Sequence, residues 1–152
     1  WDATWERMDS EPDLVRAIGD FFHSSALILT EPQAPCGCMV VLAAVNVSDD
    51  AGEVTTALKA LRQEGRDYLQ QRLQRAVEQG QLQPQTDTRL LASALNTLLE
   101  GMSLQAHDGV SREDLQGIGA TAVAMLFPAL ATARQGPLKY PCKKPVPERD
   151  GP

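Results

Sequence analysis

The feature that most constrains the fold is residues 53–79, where apolar side chains recur every three or four positions. That spacing places them on one face of an α-helix and most of the charged side chains on the other. The predicted helix, Glu53 to Gln79, would be about 40 Å long, and Gly80 suits the left-handed position that ends a helix. Its inner stripe comprises Val54, Leu58, Leu61, Gly65, Tyr68, Leu69, Arg72, Leu73 and Val77.

Two shorter helices are predicted before this segment. Residues 1–8 have helical spacing, and because the chain starts with Trp rather than Met, we expect them to be the last turns of a helix that begins upstream. The second helix runs from Leu14 to about Thr30, with Ser10 as its candidate N-cap and Pro12 inside its first turn.

The segment from Cys36 to Ser48 is apolar almost all round, which predicts a helix that is buried on most faces. A strand is the alternative, because several of these residues are β-branched. The length of about 12 residues and the absence of alternation favour the helix.

The last two helices form a predicted hairpin. The first runs from Leu90 to His107, with Thr86 or Asp87 as its N-cap. The second opens with a capping box at Ser111 and continues to about Thr132.

Composition agrees with these elements. The chain has 152 residues, of which 43% are hydrophobic and only 5% aromatic, and Ala, Leu and Gln are abundant. These residues favour helices, so we predict an all-α, antiparallel bundle of about six helices. The helical domain would cover residues 1–134, and residues 135–152, which are rich in proline, would form a disordered tail.

Charge and cysteine usage exclude several functions. With a net charge of −6, this chain is not expected to bind DNA or an anionic membrane by itself. The apolar runs are too short to span a bilayer, and three cysteines suit a reduced, cytoplasmic protein. We expect Cys36 and Cys38 to be buried small side chains, since no cation is placed beside them to activate a thiol sensor.

The sequence lacks a convincing catalytic arrangement, metal site or cofactor site. His23, Ser24 and Ser25 are adjacent on a helix and point about 100° apart, so they do not form a triad. His107 is explained by its place at a helix C-terminus. We therefore predict a protein that is not an enzyme, although a small helical enzyme is the least favoured alternative.

The segment from Pro35 to Leu126 resembles the C-terminal regulatory domain of TetR-family transcriptional regulators. The resemblance is carried by P-C-G-C-M-V-V at 35–41, R-x-x-L-x-x-x-L-x-R-A-V-E-Q-G-Q-L at 66–82, D-T-R-x-L-A at 87–92, and L-L-E-G-M at 98–102 followed by H-D-G. It implies that DNA is bound by a helix-turn-helix domain that is absent from this chain. The helix that ends at Met8 would link that domain to the regulatory core.

The resemblance also implies a homodimer formed by the last two helices. A hairpin that packs only within its own monomer is the alternative. A face of small residues (Ala94, Gly101, Gly117, Ala120 and Ala124) would permit close helix approach. The candidate interface residues are Leu90, Ala94, Leu98, Gly101, Ile118, Ala122 and Met125.

A pocket for a small, apolar effector is the third implication. Large aromatic and thioether side chains suit an adaptable apolar cavity, although each of them could equally belong to the ordinary core. A ligand-free helical dimerisation or adaptor module is the alternative function. Asn46 and Glu100 are polar positions on apolar helices and would orient the ligand. The candidate ligand-binding residues are Trp1, Trp5, Met8, Phe22, Met39, Asn46, Tyr68 and Met102.

Overall fold

The computed structural model describes residues 1–45 and 51–127. Within these ranges the chain forms six α-helices, one 3₁₀ turn at residues 43–45 and no strand. The predicted all-α class with about six helices is therefore confirmed. The helices are α1 (Asp2–Ser10), α2 (Leu14–Leu29), α3 (Met39–Leu42), α4 (Gly52–Glu78), α5 (Thr88–His107) and α6 (Arg112–Leu126). The proposed tail, residues 135–152, lies outside the described ranges.

Helix α2 is the centre of the bundle and contacts α1, α4, α5 and α6. Apolar residues recur along it at helical spacing, so one broad stripe is buried. Phe21 and Phe22 meet edge to face, with ring centroids 5.4 Å apart. The buried core includes Met8, Leu14, Ile18, Phe21, Phe22, Leu29, Leu69, Leu73, Leu95, Met102 and Leu115.

The start of α2 corrects a prediction. Ser10 is the last residue of α1, and the N-cap of α2 is Asp13, whose side chain accepts a hydrogen bond from Arg16 N at 2.8 Å. Pro12 precedes this cap instead of lying inside the first turn. A proline disfavours helical geometry in the residue before it, and Glu11 is extended at φ −72° and ψ 117°. The second helix therefore cannot begin as early as Ser10.

Three other helix ends follow local sequence signals. Asp87, one of the two predicted alternatives, caps α5 by accepting from Leu90 N at 2.9 Å. The predicted capping box at Ser111 is present at the start of α6. Gly80 ends α4 at φ +72°, and Gln81 N donates to Ala76 O at 2.8 Å. This pattern is a Schellman motif, in which glycine adopts the left-handed conformation without a steric penalty.

The predicted helix from Cys36 to Ser48 is wrong over most of its described part. Only Met39–Leu42 is α-helical, and a 3₁₀ turn follows at residues 43–45. Gly37 has φ +91° and Cys38 is extended, so the chain cannot enter a helix before Met39. The expected burial is also wrong, because no residue of α3 is buried and Cys36 is exposed. Residues 46–50 lie outside the described ranges.

Helix α6 ends earlier than predicted. Its last residue is Leu126, and Phe127 has non-helical angles of φ −125° and ψ 49°. The next residue in the sequence is Pro128, which disfavours helical geometry at Phe127. The predicted end at Thr132 lies outside the described residues.

Candidate functional site

A cavity of about 700 Å³ lies between α1, α4 and α5, with α3 at its margin. This volume is within the range of roughly 300–1,000 Å³ that is usual for small-molecule sites. Apolar side chains from different helices face it, among them Leu61 of α4, Leu99 of α5, and Val40 and Val41 of α3.

An aromatic wall forms one side of the cavity. Trp1 and Trp5 have ring centroids 6.4 Å apart, and Trp5 stacks on Tyr68 at 5.5 Å with an interplanar angle of 23°. The inner side of Trp5 contacts Phe21 at 4.6 Å, which joins the wall to the core. Gly65 brings α4 close to this wall, because a Cβ at this position would already be 3.7 Å from the Trp5 ring.

The inner stripe of α4 divides between core and cavity. Leu69, Leu73 and Arg72 are buried, as the periodicity predicts. Leu61 and Tyr68 belong to the same stripe, but they line the cavity and are about half exposed. Helical spacing identifies the face that points inward, and it does not reveal whether the space opposite that face is filled.

Polar side chains from α5 also line the cavity. Asn96 is only 5% exposed, and its Nδ2 donates to Glu100 Oε1 at 2.9 Å. Both residues line the cavity, as does Arg62, whose Nη1 donates to the Val40 carbonyl at 2.8 Å. Asn96 was not among the candidates chosen from the sequence. Its position on the inner face of α5, next to buried Leu95, was the available signal.

A buried arginine joins α4 to the end of α1 beside the cavity. Arg72 Nε donates to Met8 O at 3.2 Å, and its Nη2 donates to Glu11 O at 2.9 Å and Pro12 O at 3.3 Å. Its Nη1 has no hydrogen-bond partner among the described residues. Burial, together with the charge of Arg75, lowers the pKa of Arg72, while nearby carboxylates act in the opposite direction.

Three of the predicted ligand-binding residues meet at this cavity. Trp1, Trp5 and Tyr68 all line it, and Glu100, the second polar candidate, does so as well. The structure therefore brings together residues that are far apart in the sequence. Their role in ligand binding remains a prediction.

The other candidates do not line the cavity. Met8, Phe22 and Met102 are buried in the core, where they pack against other apolar side chains. Met39 is 78% exposed and lies outside the cavity. Asn46 lies outside the described residues. Thioether and aromatic side chains fill a core as readily as they line a cavity, so residue type alone could not separate these positions.

A second feature is an apolar surface on α5 and α6. Leu98, Ile118, Ala122 and Met125 line a shallow groove there, and Met125 is 74% exposed. These four residues belong to the predicted dimer interface. Exposed apolar side chains grouped in this way are typical of a surface that binds a partner.

The remaining interface candidates extend this surface along α5. Leu90 is 56% exposed, Ala94 is exposed and Gly101 is half-buried. Leu104, on the same side of α5 by helical spacing, is also exposed. All the candidates are thus at least partly accessible.

Comparison with protein families identifies the family of this chain. Residues 15–126 match the family described as Tetracyclin repressor-like, C-terminal domain. The chain belongs to this family. Membership confirms the resemblance on which the sequence interpretation depended.

Proteins that are similar to this chain include named transcriptional regulators. The HTH-type transcriptional repressor ComR of Escherichia coli (strain K12) is 32% identical over 120 residues, which are 79% of this chain and 57% of ComR. The chain therefore spans less than two thirds of the length of this relative.

Solved structures of the family share the fold. A cysteine variant of the TetR family transcriptional regulator CifR, complexed with 26-base-pair double-strand operator DNA, has a TM-score of 0.76 and 30% identity. The match covers 80% of this chain and 64% of CifR. A putative TetR transcriptional regulator from Rhodococcus sp. RHA1 has a TM-score of 0.70 and 26% identity, with 82% of this chain and 66% of that chain covered.

Over residues 1–45 and 51–127, no three or more His, Cys, Asp or Glu side chains are grouped as a metal ion would require. No helix in the same ranges has both the length and the apolar composition needed to cross a membrane.

Proposed function

We propose that this chain is the effector-binding and dimerisation domain of a TetR-like transcriptional repressor. The main observation behind the proposal is the cavity of about 700 Å³, whose aromatic wall is formed by Trp1 and Trp5 at the start of the chain and by Tyr68 of α4. In the whole protein, DNA would be bound by a helix-turn-helix domain that α1 connects to this core. The match to a repressor and to an operator-bound regulator supports this role.

The mechanism we propose is a shift between two positions of α1. Trp5 of α1 and Trp1, which is the N-cap of α1, line the cavity from one helix, whereas Asn96 and Glu100 line it from α5. An effector that contacts both sides binds best at one separation of the two helices and favours that state. Because such coupling is reciprocal, DNA binding would also change the affinity for the effector.

Effector binding can be tested on this chain by a thermal-shift screen with small, largely apolar aromatic compounds. A compound that binds only the folded state should raise the melting temperature as its concentration increases, since 100 times Kd adds about 2.7 kcal/mol of stability. The same compound should lower the operator affinity of the whole protein. A chain that dimerises but gains no stability from any compound would point to the ligand-free adaptor function instead.

We propose that the surface on α5 and α6 binds a second copy of the chain. Two such hairpins would form a four-helix bundle, with a total buried area on the order of 1,500 Å² or more. Small residues on α6, including Gly117, Ala120 and Ala124, are accessible to a neighbouring helix. The groove formed by Leu98 and Ile118 supplies its apolar centre.

Light scattering at micromolar concentration tests the dimer. The chain should have the mass of a dimer, and Ile118→Arg should convert it to a monomer by placing a charge in the apolar groove. Leu27→Arg is the matched control, because Leu27 is also a partly exposed apolar residue but lies on α2 away from the groove. A monomeric mass for the unsubstituted chain would refute the proposed dimer.

A further inference from the structure

We propose that the effector is an organic cation with a flat, apolar body. This inference rests on the proposed function of the cavity and names the class of molecule that would occupy it. It is drawn from the charges and aromatic faces that line the cavity.

The cavity carries an excess of negative charge. Two guanidinium groups line it, those of Arg62 and Arg75, against a larger number of carboxylates, which gives the side chains of the lining a formal charge of −3. A cavity with low-dielectric walls concentrates the field of such charges and raises the local concentration of cations. The carboxylates belong to Asp2, Glu6, Asp9, Glu64 and Glu100.

Ion pairs within the protein do not neutralise this excess of negative charge. Arg75 forms an ion pair with Asp9 and also donates to its backbone carbonyl at 3.0 Å. Arg62 donates to the carbonyl of Val40, and no carboxylate of residues 1–45 or 51–127 lies within ion-pair distance of it. Four of the carboxylates are likewise without an ion pair among the described residues, namely Asp2, Glu6, Glu64 and Glu100.

Glu100 is the carboxylate best placed to determine which ligands the cavity binds. It is half-buried, whereas the other three unpaired carboxylates are exposed to solvent. Asn96 donates to Oε1 of Glu100, so the carboxylate is oriented from within the protein and its Oε2 remains available. A partly buried charge is screened less by salt than an exposed one and therefore discriminates more strongly between ligands.

The aromatic wall favours the same class of ligand. Trp1, Trp5 and Tyr68 provide neighbouring aromatic rings in the lining that also contains Glu100. The face of an aromatic ring attracts a cation, and tryptophan does so most strongly. A delocalised organic cation would stack on this wall and place its charge near the carboxylate. Among the side chains that the structure describes, an anion would meet four unpaired carboxylates and one unpaired guanidinium.

Calorimetric titration of the 152-residue chain with three bicyclic probes tests the inference. The probes are the cation N-methylquinolinium, its neutral isostere 1-methylnaphthalene and the anion 1-naphthoate. The cation should bind about tenfold more tightly than the neutral isostere. Glu100→Gln keeps the acceptor for Asn96 but removes the charge, so it should reduce this preference several-fold.

Glu78→Gln is the control for the substitution. Glu78 lies at the exposed end of α4 outside the cavity and accepts a hydrogen bond from Gln74, much as Glu100 does from Asn96. It should not change the preference for the cation. Equal affinity for cation and neutral probe, or tighter binding of the anion, would overturn the inference and leave the effector cavity standing. Binding of none of the three probes would overturn both.

Discussion

Gly119 of α6 lies so close to Phe22 of α2 that a Cβ built on the glycine would be 2.7 Å from the Phe22 Cβ. Carbon atoms that are not bonded to each other do not approach this closely, so an added Cβ would require one of the two helices to shift. Phe22 is fully buried, so its side chain cannot move aside into solvent. The contact between α2 and α6 therefore depends on the absence of a side chain at position 119.

The first prediction is that Gly119→Ala destabilises the protein. Overpacking a core contact costs typically 1–3 kcal/mol, which exceeds the gain of about 1 kcal/mol from the helix propensity of alanine. Gly19→Ala is the control, because no atom lies within 4 Å of the added Cβ on α2. This control should be neutral or stabilising in urea unfolding. Equal stability of the two variants would show that α6 shifts freely against α2.

The second prediction concerns the buried arginine. Arg72→Met should lower the free energy of unfolding by about 2 kcal/mol or more, because three backbone carbonyls at the junction of α1 and α2 lose a charged donor. Arg75→Met should cost less than about 1 kcal/mol, since its ion pair with Asp9 is exposed. Urea unfolding of both variants measures the difference. A larger loss for Arg75→Met would contradict the assignment.

The third prediction concerns the loop before α3. Ser103 is fully buried on α5, and its Oγ accepts a hydrogen bond from Cys38 N at 2.7 Å. Ser103→Ala leaves that N–H without its partner and should cost roughly 1–3 kcal/mol. It should also accelerate hydrogen exchange at the Cys38 amide.

Ser93→Ala is the control for this substitution on the same helix. The Ser93 hydroxyl donates only to the carbonyl of Arg89 within α5. Its loss should change stability by no more than about 0.5 kcal/mol. Unchanged exchange at Cys38 in the Ser103→Ala variant would mean that the loop is held by other contacts.

The fourth prediction separates the two residues that the sequence offered as the cap of α5. Asp87→Ala should cost about 1 kcal/mol, because the side chain of Asp87 accepts from Leu90 N. Thr86→Ala should have little effect on thermal stability, since the Thr86 side chain does not cap the helix. The reverse order of the two melting temperatures would assign the cap to Thr86.

The long helices, the capping box of α6 and the glycine that ends α4 were predictable because their signals are local. The repeated spacing of apolar residues in α4 and the pairing of Ser111 with Asp114 are properties of a few neighbouring residues. The helix proposed for Cys36 to Ser48 failed for a reason that is only partly local. Gly37 adopts a positive φ and docks against α5, where a Cβ would lie 2.8 Å from Ser103 O.

The cavity was only partly predictable. Tyr68 and Met102 were proposed on the same grounds, yet Tyr68 lines the cavity and Met102 is fully buried. The difference depends on what lies across the bundle from each side chain, which is a non-local property. Asn96 was missed for a similar reason, since its place in the site depends on its contact with Glu100 and on the cavity that both residues face.

The aromatic wall has a practical consequence for the optical spectroscopy of this chain. The sequence contains two tryptophans, and both line the cavity. When tryptophan is excited selectively, all of the resulting fluorescence therefore originates from the aromatic wall of the candidate site. The unlabelled chain thus carries its own fluorescent reporter of cavity occupancy, with Tyr68 stacked on one of the two emitters.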